Sequence, residues 1–278
     1  MSHSVLRRDF LKIGAAGAAL AVGVQGLAAA ASDAQKIPIG LQLYSVRGEC
    51  AKDLPKVLAA VARMGYKGVE FAGYYNRKAD ELKKMLDSNG LVCCGTHTAL
   101  GTIQGDALKA TVEFNQAIGN KFLIVPGMSP KGKQGWLDAA KLFNETAAKV
   151  KADGMRVGYH AHGGDFKPID GETPWDIFFG AARPEVVMQL DTGNALGAGA
   201  DPVAILKKFP GRATTIHLKE EGGPADAVID GGQVKWKEVF DLCEAGGTVW
   251  YIVEHERGGP DVLGDVERCL EALKKMGK

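Results

Sequence analysis

From residue 37 onward, short apolar runs alternate with segments in which apolar residues recur every three or four positions. The short runs predict strands buried on both faces, and the wider spacing predicts amphipathic helices. Strands are predicted at 37–46, 66–72, 91–97, 121–126, 155–162, 186–191, 213–219 and 248–254. Helices are predicted at 52–64, 78–88, 106–118 and 133–152, after Pro174, from Pro202 to about 210, at 236–245 and at 262–276.

Eight β-α units within about 240 residues predict an α/β fold, a single-domain (β/α)8 TIM barrel over residues 37–278. A doubly wound open sheet is the alternative, but no Gly-x-Gly-x-x-Gly follows the first predicted strand. The sequence also has no Gly-x-x-x-x-Gly-Lys-Ser/Thr phosphate loop. No linker divides residues 37–278, so we expect one domain there.

Residues 1–31 have the composition of an export signal. The basic segment 7–12 (RRDFLK) precedes a Gly/Ala-rich apolar stretch at 13–31. This order is typical of a secretory signal, and the paired arginines resemble a twin-arginine signal. A retained membrane anchor is the alternative, because the stretch is just long enough to span a bilayer, but its weak hydrophobicity favours cleavage near Ala31. We therefore expect a periplasmic or otherwise exported protein, with the twin-arginine translocase as partner and no membrane span after cleavage.

Charge and cysteine content argue against two further classes of protein. The net charge is +1, and no basic stripe stands out, so a nucleic-acid partner has little support. Five cysteines without framework spacing argue against a disulfide scaffold. Buried thiols are predicted, and a single periplasmic disulfide stays open as an alternative.

Ionisable residues lie where the predicted strands end. In a TIM barrel, the carboxyl ends of the strands meet at one mouth and form the active site. The residues that this mouth would collect are Gln42, Tyr44, Glu70, His97, His160, His162, Asp191, His217, Lys219 and Glu254. A single strand-end histidine is more often a hydrogen-bonded rim residue than a metal ligand. Residues of types that bind metals at the ends of four successive strands are harder to explain as separate rim residues. Mixed imidazole and carboxylate groups suit Zn²⁺, Mn²⁺, Fe²⁺ or Co²⁺ better than Ca²⁺.

The segments QLYSVR, GVEFAG, GYHAHGGDF, MQLDTGNAL, IHLKE and WYIVEHE resemble those of the xylose isomerase-like TIM barrels, the sugar phosphate isomerase/epimerase group. The resemblance covers residues 37–274 in the right order. It implies one divalent metal ion (Mn, Zn, Co, Fe or Mg) held by Glu, Asp, His and Glu from strands five to eight. The last three correspond to Asp191, His217 and Glu254. Strand five carries no Glu, and aligning the Glu-x-His of some relatives here makes His160 the fourth ligand and His162 the base, with the opposite assignment left open.

The chain departs from the branch that it resembles most. That branch carries Tyr-His-Asn-His on strand five and His-Leu-Lys-Asp on strand seven, where this chain has Ala161 and Glu220. After His162 the chain reads Gly-Gly-Asp-Phe instead of Asp-Phe-Glu-Phe, so it lacks the Glu that usually contacts substrate there.

The resemblance implies a metal-dependent isomerase or epimerase that removes a proton next to a carbonyl of a sugar or keto-sugar. His162 is the candidate base. Lys219 is expected to stabilise the enolate or to hold a substrate oxygen, and a solvated lysine at the strand end is an equally open alternative. Glu70 and His97 are expected either to orient the ligands or to form a second acid/base pair. Loops near Trp136, Trp175, Trp236 and Phe166 are expected to supply an aromatic platform for a sugar ring.

Three other functions stay open at this point. A keto-glycoside lyase or hydrolase would use the same scaffold and the same first proton abstraction. A metal-dependent nuclease related to endonuclease IV would need a basic groove, which the charge pattern does not offer. A periplasmic sugar-binding protein would keep the barrel without turnover.

Overall fold

The computed structural model describes residues 36–257 and 259–278. The predicted export signal at residues 1–31 lies outside the described residues. The eight strands are β1 (Ile39–Gln42), β2 (Gly68–Phe71), β3 (Val92–His97), β4 (Phe122–Val125), β5 (Arg156–His160), β6 (Val187–Gln189), β7 (Thr215–Leu218) and β8 (Trp250–Val253). The helices are α1 (Arg47–Met64), α2 (Ala79–Ser88), α3 (Ala107–Ala117), α4 (Gly132–Val150), α5 (Pro174–Ala181), α6 (Thr192–Gly197), α7 (Pro202–Lys208), α8 (Trp236–Ala245) and α9 (Val262–Lys275).

All paired strands are parallel, in the order β6-β5-β4-β3-β2-β1-β8-β7. The barrel closes between β6 and β7, where Asp191 and His217 form a parallel bridge. At this seam the backbone N–H of His217 donates to the carbonyl of Leu190 at 2.9 Å. Residues 36–278 therefore form the predicted (β/α)8 TIM barrel, and the open-sheet alternative is wrong.

The strands are short and almost wholly buried, as expected when helices cover one face of a parallel sheet and the barrel interior covers the other. Every residue of β4, Phe-Leu-Ile-Val, is buried. Polar residues interrupt this pattern near the carboxyl ends, as with Gln42, Glu70 and Gln189, each with 0% exposure. Because a buried polar group is costly without a partner, these side chains must satisfy one another inside the barrel.

Several predicted strands are longer than the observed ones because the chain turns at once into short helical segments. Strand one ends at Gln42, and a 3₁₀ turn covers Leu43–Val46. Strand five ends at His160, so His162 lies past the strand, directly before the 3₁₀ turn Gly163–Phe166. Helix α6 was not predicted. It begins immediately after Asp191, whose side chain accepts a hydrogen bond from the backbone of Asn194 and caps the helix.

Helix α1 starts five residues earlier than predicted and is kinked. Asp53 has φ −157° and ψ 83°, which interrupts the helix. Its side chain then accepts a hydrogen bond from the backbone N–H of Lys56 at 3.0 Å. Asp53 thus caps the second part of α1, and Pro55 lies in the first turn of that part, where proline is tolerated.

The predicted aromatic platform is wrong, because all four side chains are buried in the packing around the barrel. Trp136, Trp175, Trp236 and Phe166 are only 0–7% exposed. The ring centroids of Trp136 and Trp175 each lie 6.0 Å from that of Tyr159, between the strands and the surrounding helices. These residues therefore stabilise the fold and do not face a ligand.

The cysteines agree with the prediction of buried thiols. All five cysteines are free and buried, so the disulfide left open by the sequence is not formed. Among the described residues, we find no helix with the length and apolar character needed to cross a bilayer.

Candidate metal centre

Four of the predicted ligands come together at the mouth of the barrel. His160 ends β5, Asp191 follows β6, His217 lies in β7 and Glu254 follows β8. All four are buried, with exposures of 5% or less. Each offers one ligand atom, and these atoms all lie within 4.8 Å of one another. The four residues, which we call the metal centre, have the donor types and the spacing that a divalent transition metal requires.

Asp191 gives the most direct indication that a cation belongs in the metal centre. Its Oδ1 accepts the backbone N–H of Asn194 at 2.6 Å. Its Oδ2 is buried without a hydrogen-bond partner and lies 3.9 Å from Nδ1 of His217. Burial raises the pKa of Asp191 to about 7, with the charge of Glu254 adding to the shift and Lys219 opposing it. A buried carboxylate oxygen without a partner is costly, and a cation would satisfy it.

His217 lies between two carboxylates. Its Nε2 is 2.6 Å from Oε2 of Glu70, and its Nδ1 is 2.6 Å from Oε2 of Glu254. Burial alone would lower the pKa of His217, but Glu70 and Glu254 outweigh it and raise the pKa to about 10. A carboxylate oxygen at 2.6 Å from each ring nitrogen favours a proton on both, and the Nδ1 proton lies on the side of the ring that faces Asp191 and Glu254. A cation held by those carboxylates would replace that proton while Nε2–H continues to donate to Glu70, which is the usual arrangement of a metal-bound histidine.

Glu70 is an anion enclosed by donors. Besides His217, it accepts hydrogen bonds from Nε2 of Gln42 at 2.8 Å and from Nε2 of Gln189 at 2.9 Å. Nε2 of His97 lies 3.2 Å from Oε2 of Glu70. Burial would raise the pKa of Glu70, but His97 and His217 outweigh it and hold the pKa well below its usual range. Glu70 is fully buried and touches His217, so it orients a ligand from beneath the mouth.

Gln189 determines which nitrogen of His160 can bind a cation. Its amide NH₂ faces the carboxylate of Glu70, which can only accept, so its Oε1 must face the two histidines. That oxygen lies 3.1 Å from Nδ1 of His160 and 3.1 Å from Nε2 of His97. Both nitrogens therefore carry a proton, and in His160 the lone pair stays on Nε2. Burial lowers the pKa of His160 well below its usual value, which keeps the imidazole neutral as a ligand must be.

Gln189 was missed by the sequence analysis, although the sequence carries a signal for it. It precedes Asp191 by two residues, so the two side chains share one face of the strand. A polar residue two positions before a candidate ligand on an apolar strand was the pattern that could have identified it.

His162 lies next to the metal centre but is not one of its four residues. Its ring centroid is 4.9 Å from that of His160. The backbone N–H of His162 donates to Oδ2 of Asp165 at 2.8 Å, which fixes the turn that follows β5. Burial lowers the pKa of His162. The structure thus separates the two histidines, since His160 ends β5 within the clustered set and His162 lies past the strand beside that set.

Lys219 reaches the rim of the metal centre from the residue after β7. Its Nζ donates to Oδ1 of Asn194 at 3.1 Å and to Oε1 of Glu254 at 3.4 Å, and it forms an ion pair with Glu256. Burial would lower the pKa of Lys219, but the charges of Asp191, Glu254 and Glu256 raise it above its usual value. Asn194 and Glu256 were not predicted as site residues.

A second possible ligand group contains only imidazoles. His97, His160 and His217 also bring ligand atoms within 4.8 Å of one another. The rings of His97 and His217 are stacked, with centroids 5.4 Å apart. The set with Asp191 and Glu254 fits a divalent cation better, because it supplies negative charge and contains the unpartnered Oδ2 of Asp191.

Glu220, one of the departures noted in the sequence, organises the loop after β7. Its carboxylate accepts five hydrogen bonds of 2.8–3.1 Å, from the backbone N–H groups of Glu221, Asp230, Gln233 and Val234 and from Nε1 of Trp236. This buried carboxylate therefore anchors the segment between Lys219 and α8.

An aromatic side chain does lie at the mouth, although not one of the four predicted. Tyr44 follows β1 and is 42% exposed. The guanidinium carbon of Arg47 lies 4.1 Å from the centroid of its ring. Arg47 thus covers one part of the ring and leaves the rest open to solvent.

Comparison with known protein families identifies the class of protein to which this barrel belongs. Residues 58–276 match the Xylose isomerase-like TIM barrel family, and the chain belongs to that family.

The individual relatives include inosose dehydratases and a sugar phosphate isomerase/epimerase. The chain is 26% identical over 260 residues to inosose dehydratase from Clostridium tetani (strain Massachusetts / E88), with 78% of this chain and 86% of the relative covered. It is 27% identical over 259 residues to inosose dehydratase from Clostridium perfringens (strain 13 / Type A), with 78% and 86% covered. A crystal structure of a sugar phosphate isomerase/epimerase from Parabacteroides distasonis ATCC 8503 superposes with a TM-score of 0.74 at 26% identity, covering 86% of this chain and 98% of that one.

Proposed function

We propose that this protein is a metal-dependent enzyme that removes a proton next to a carbonyl of a sugar or keto-sugar and reprotonates the product as an isomer or epimer. The observation that carries the proposal is the metal centre itself, in which Oδ2 of Asp191 lies buried and unpartnered among His160, His217 and Glu254. Membership of the xylose isomerase-like family supports the same chemistry.

His160, Asp191, His217 and Glu254 would hold one divalent cation. When bound, the cation supplies a Lewis acid that polarises the substrate carbonyl and makes the neighbouring C–H more acidic. Glu70 holds His217 in position through Nε2, and Gln189 holds His160 through Nδ1. His97 contributes by filling the space between Gln189 and Glu70, where its Nε2 contacts both. We therefore assign Glu70 and His97 to ligand orientation, one of the two roles expected from the sequence.

His162 is the proposed base. It lies beside the ligand His160 but outside the ligand set, so its imidazole remains available to accept a proton. Lys219 is proposed to bind the substrate oxygen that becomes negative when the proton leaves, because an ammonium group at that place stabilises developing negative charge. To bind that oxygen, the ammonium group gives up one of its present hydrogen-bond acceptors. Of its two carboxylate acceptors, Glu256 is the more accessible, with 31% of its side chain exposed.

Elimination is the second candidate reaction, and the names of the relatives favour it. The Clostridium tetani relative is called inosose dehydratase, a name that denotes loss of water from a cyclic polyol ketone. The same base would remove the proton next to the carbonyl, and Lys219 would then donate a proton to the departing oxygen. A keto-glycoside lyase differs only in the leaving group.

Deuterium exchange tests the shared first step. Metal-loaded protein is incubated in D₂O with a panel of keto-sugars, cyclic polyol ketones and glycosides, and deuterium incorporation is followed by mass spectrometry. We expect incorporation with wild type and none with H162A, which keeps its metal. H255Q changes a histidine outside the metal centre and serves as the matched control. A wild type that binds these compounds without exchange would make the protein a sugar-binding protein and overturn the proposal.

We also propose that the protein acts outside the cytoplasm, on the strength of the predicted twin-arginine signal in residues 1–31. Export favours unphosphorylated substrates. Cell fractionation with a wild-type and an R7K/R8K chain tests this location. We expect the wild type in the exported fraction and the variant in the cytoplasm, and equal distribution of the two would contradict it.

A further inference from the structure

The segment that follows Asp191 holds Lys219 by three independent contacts. These contacts involve the backbone of the lysine, the stem of its side chain and its ammonium group. They come from the consecutive residues Thr192, Gly193 and Asn194 in the first turn of α6. The proposed function uses Lys219 but does not explain these three residues.

The hydroxyl of Thr192 bonds both backbone groups of Lys219. It accepts the backbone N–H of Lys219 at 3.0 Å and donates to the carbonyl of Lys219 at 2.7 Å. Thr192 is fully buried, and its hydroxyl also lies 3.3 Å from the carbonyl of His217. A single side chain thus holds the backbone that follows β7 against the start of α6.

Gly193 leaves room for the stem of the lysine. A Cβ atom at this position would lie 2.7 Å from Cγ and 3.0 Å from Cβ of Lys219, and 3.1 Å from the carbonyl oxygen of Glu220. These atoms lie near the backbone, so the lysine cannot avoid the new methyl group by moving only its end. The glycine is therefore required by space, since its backbone conformation is one that alanine also adopts in a helix.

Asn194 holds the end of the side chain. Its Oδ1 accepts from Nζ of Lys219 at 3.1 Å, while its Nδ2 donates to the carbonyl of Ala161 at 2.9 Å. The asparagine is thus fixed from the β5 side and fixes the ammonium group in turn. Its backbone N–H donates to Oδ1 of Asp191, the residue that caps α6. The first turn of α6 is therefore bonded to a proposed metal ligand and also orients the lysine.

We propose that Thr192 and Gly193 are positioning residues that place the ammonium group of Lys219 at the rim of the metal centre, where it holds a substrate oxygen. This inference rests on the proposed function for the role of Lys219, but the placement itself does not depend on it. Removing the hydroxyl or adding a methyl group displaces the ammonium without changing any ligand of the metal. Displacement of a substrate-positioning group by about 1 Å can lower the rate by about 100-fold.

Four variants test the placement by activity. T192V removes the hydroxyl at nearly constant shape, T192S retains it, and G193A adds the methyl group. T248V is the matched control, because Thr248 is also buried and donates to a carbonyl, that of Ala213, away from the metal centre. We expect T192V and G193A to lower kcat by about tenfold or more, with unchanged metal content. We expect T192S to recover most of the rate and T248V to leave it unchanged.

A double-variant comparison separates positioning from a general structural effect. In a chain that already carries K219A, T192V should cause no further loss of kcat, because the group that Thr192 positions is gone. An equal loss in both backgrounds would overturn the proposal.

A second measurement does not need turnover. The rate at which an amine-reactive reagent labels Lys219, followed by peptide mass spectrometry, should rise several-fold in T192V and G193A relative to wild type and T248V. An unchanged rate would overturn the placement. If wild type exchanges no proton with any substrate, the proposed function fails, and this labelling rate still decides whether Thr192 and Gly193 hold the lysine in place.

Discussion

Nε2 of His217 lies 2.6 Å from Oε2 of Glu70, a carboxylate with no solvent exposure. The pair joins a residue on β2 to one on β7 across the interior of the barrel. It gives His217 a fixed ring orientation, so that Nδ1 faces Asp191 and Glu254. Glu70 therefore supports the metal centre through its effect on His217, although it is not one of the four proposed ligands.

The first prediction concerns this pair. E70Q keeps the shape of the side chain but removes the charge that holds His217. Loss of a partner beneath a ligand typically costs about 10- to 100-fold in metal affinity, and we expect a loss of that size. Competition with a chelator of known affinity measures it. E220Q alters another buried carboxylate, which organises the loop after β7, and should bind metal as wild type does. Equal affinity in E70Q and wild type would contradict the role of Glu70.

The second prediction concerns the space beside Glu70. A Cβ atom at Gly95, its neighbour on β3, would lie 2.1 Å from Oε1 of Glu70. G95A should therefore displace the carboxylate and weaken metal binding to a similar extent as E70Q. At Gly180 in α5, an added methyl group would meet no atom within 4 Å, so G180A is the matched control. If G95A bound metal with wild-type affinity, displacement of the Glu70 carboxylate would not affect the metal centre and the prediction would be wrong.

The sequence predicted the barrel, and it placed the four candidate ligands at one mouth, because both signals are local. Apolar runs of strand length alternate with helical spacing, and the ligands lie at the strand ends, where a parallel barrel brings them together. Gln189 and Asn194 were missed because they act through other side chains, Gln189 on His160 and Asn194 on Lys219. Which side chains touch one another across the barrel depends on register and closure, which periodicity alone does not specify.

The aromatic residues, in contrast, were placed wrongly by the sequence. Trp175 was expected near a loop, but it lies in the first turn of α5, directed inward against Phe179 at a centroid distance of 4.4 Å. A helix beginning at Pro174 gives no indication of which face packs against the barrel until the neighbouring strands are placed. The local sequence pattern therefore could not predict that Trp175 is buried.

The third prediction follows from that burial. Truncation of a buried tryptophan typically costs about 3–5 kcal/mol, so W175A should lower the free energy of unfolding by about that amount. Urea denaturation followed by circular dichroism measures the loss. Metal content of the folded fraction should remain unchanged. If W175A had wild-type stability but no longer bound sugar, Trp175 would belong to the aromatic platform predicted from the sequence and this prediction would be contradicted.

The fourth prediction concerns Asp165, which supports the turn that carries His162. Its carboxylate accepts the hydroxyl of Tyr159 at 2.9 Å and the backbone N–H of His162 at 2.8 Å. Burial nevertheless raises the pKa of Asp165 from 3.8 to about 6, against the effect of these two hydrogen bonds. At a pH between these two pKa values, the carboxyl of Asp165 binds its proton more tightly in the folded protein than in the unfolded chain. The free energy of unfolding therefore falls as the pH rises from about 4 to about 6.

D165N removes that titration and isolates its contribution. We expect the stability of wild type relative to D165N to decrease as pH rises through this range and to level off above it. Denaturation of both proteins at closely spaced pH values gives the difference. A relative stability that rises with pH would mean that the carboxyl is ionised in the folded protein at lower pH than its burial indicates.

The metal content of strand-five variants tests the central claim most directly. The purified wild type, H160A and H162A are loaded with divalent metal, freed of excess by gel filtration and measured by elemental analysis. We predict about one metal ion per chain in wild type and in H162A, and loss of that metal in H160A, because His160 alone of the two belongs to the buried set with Asp191, His217 and Glu254. Retention of metal in H160A with loss in H162A would reverse the assignment, and a wild type that binds none would contradict the account.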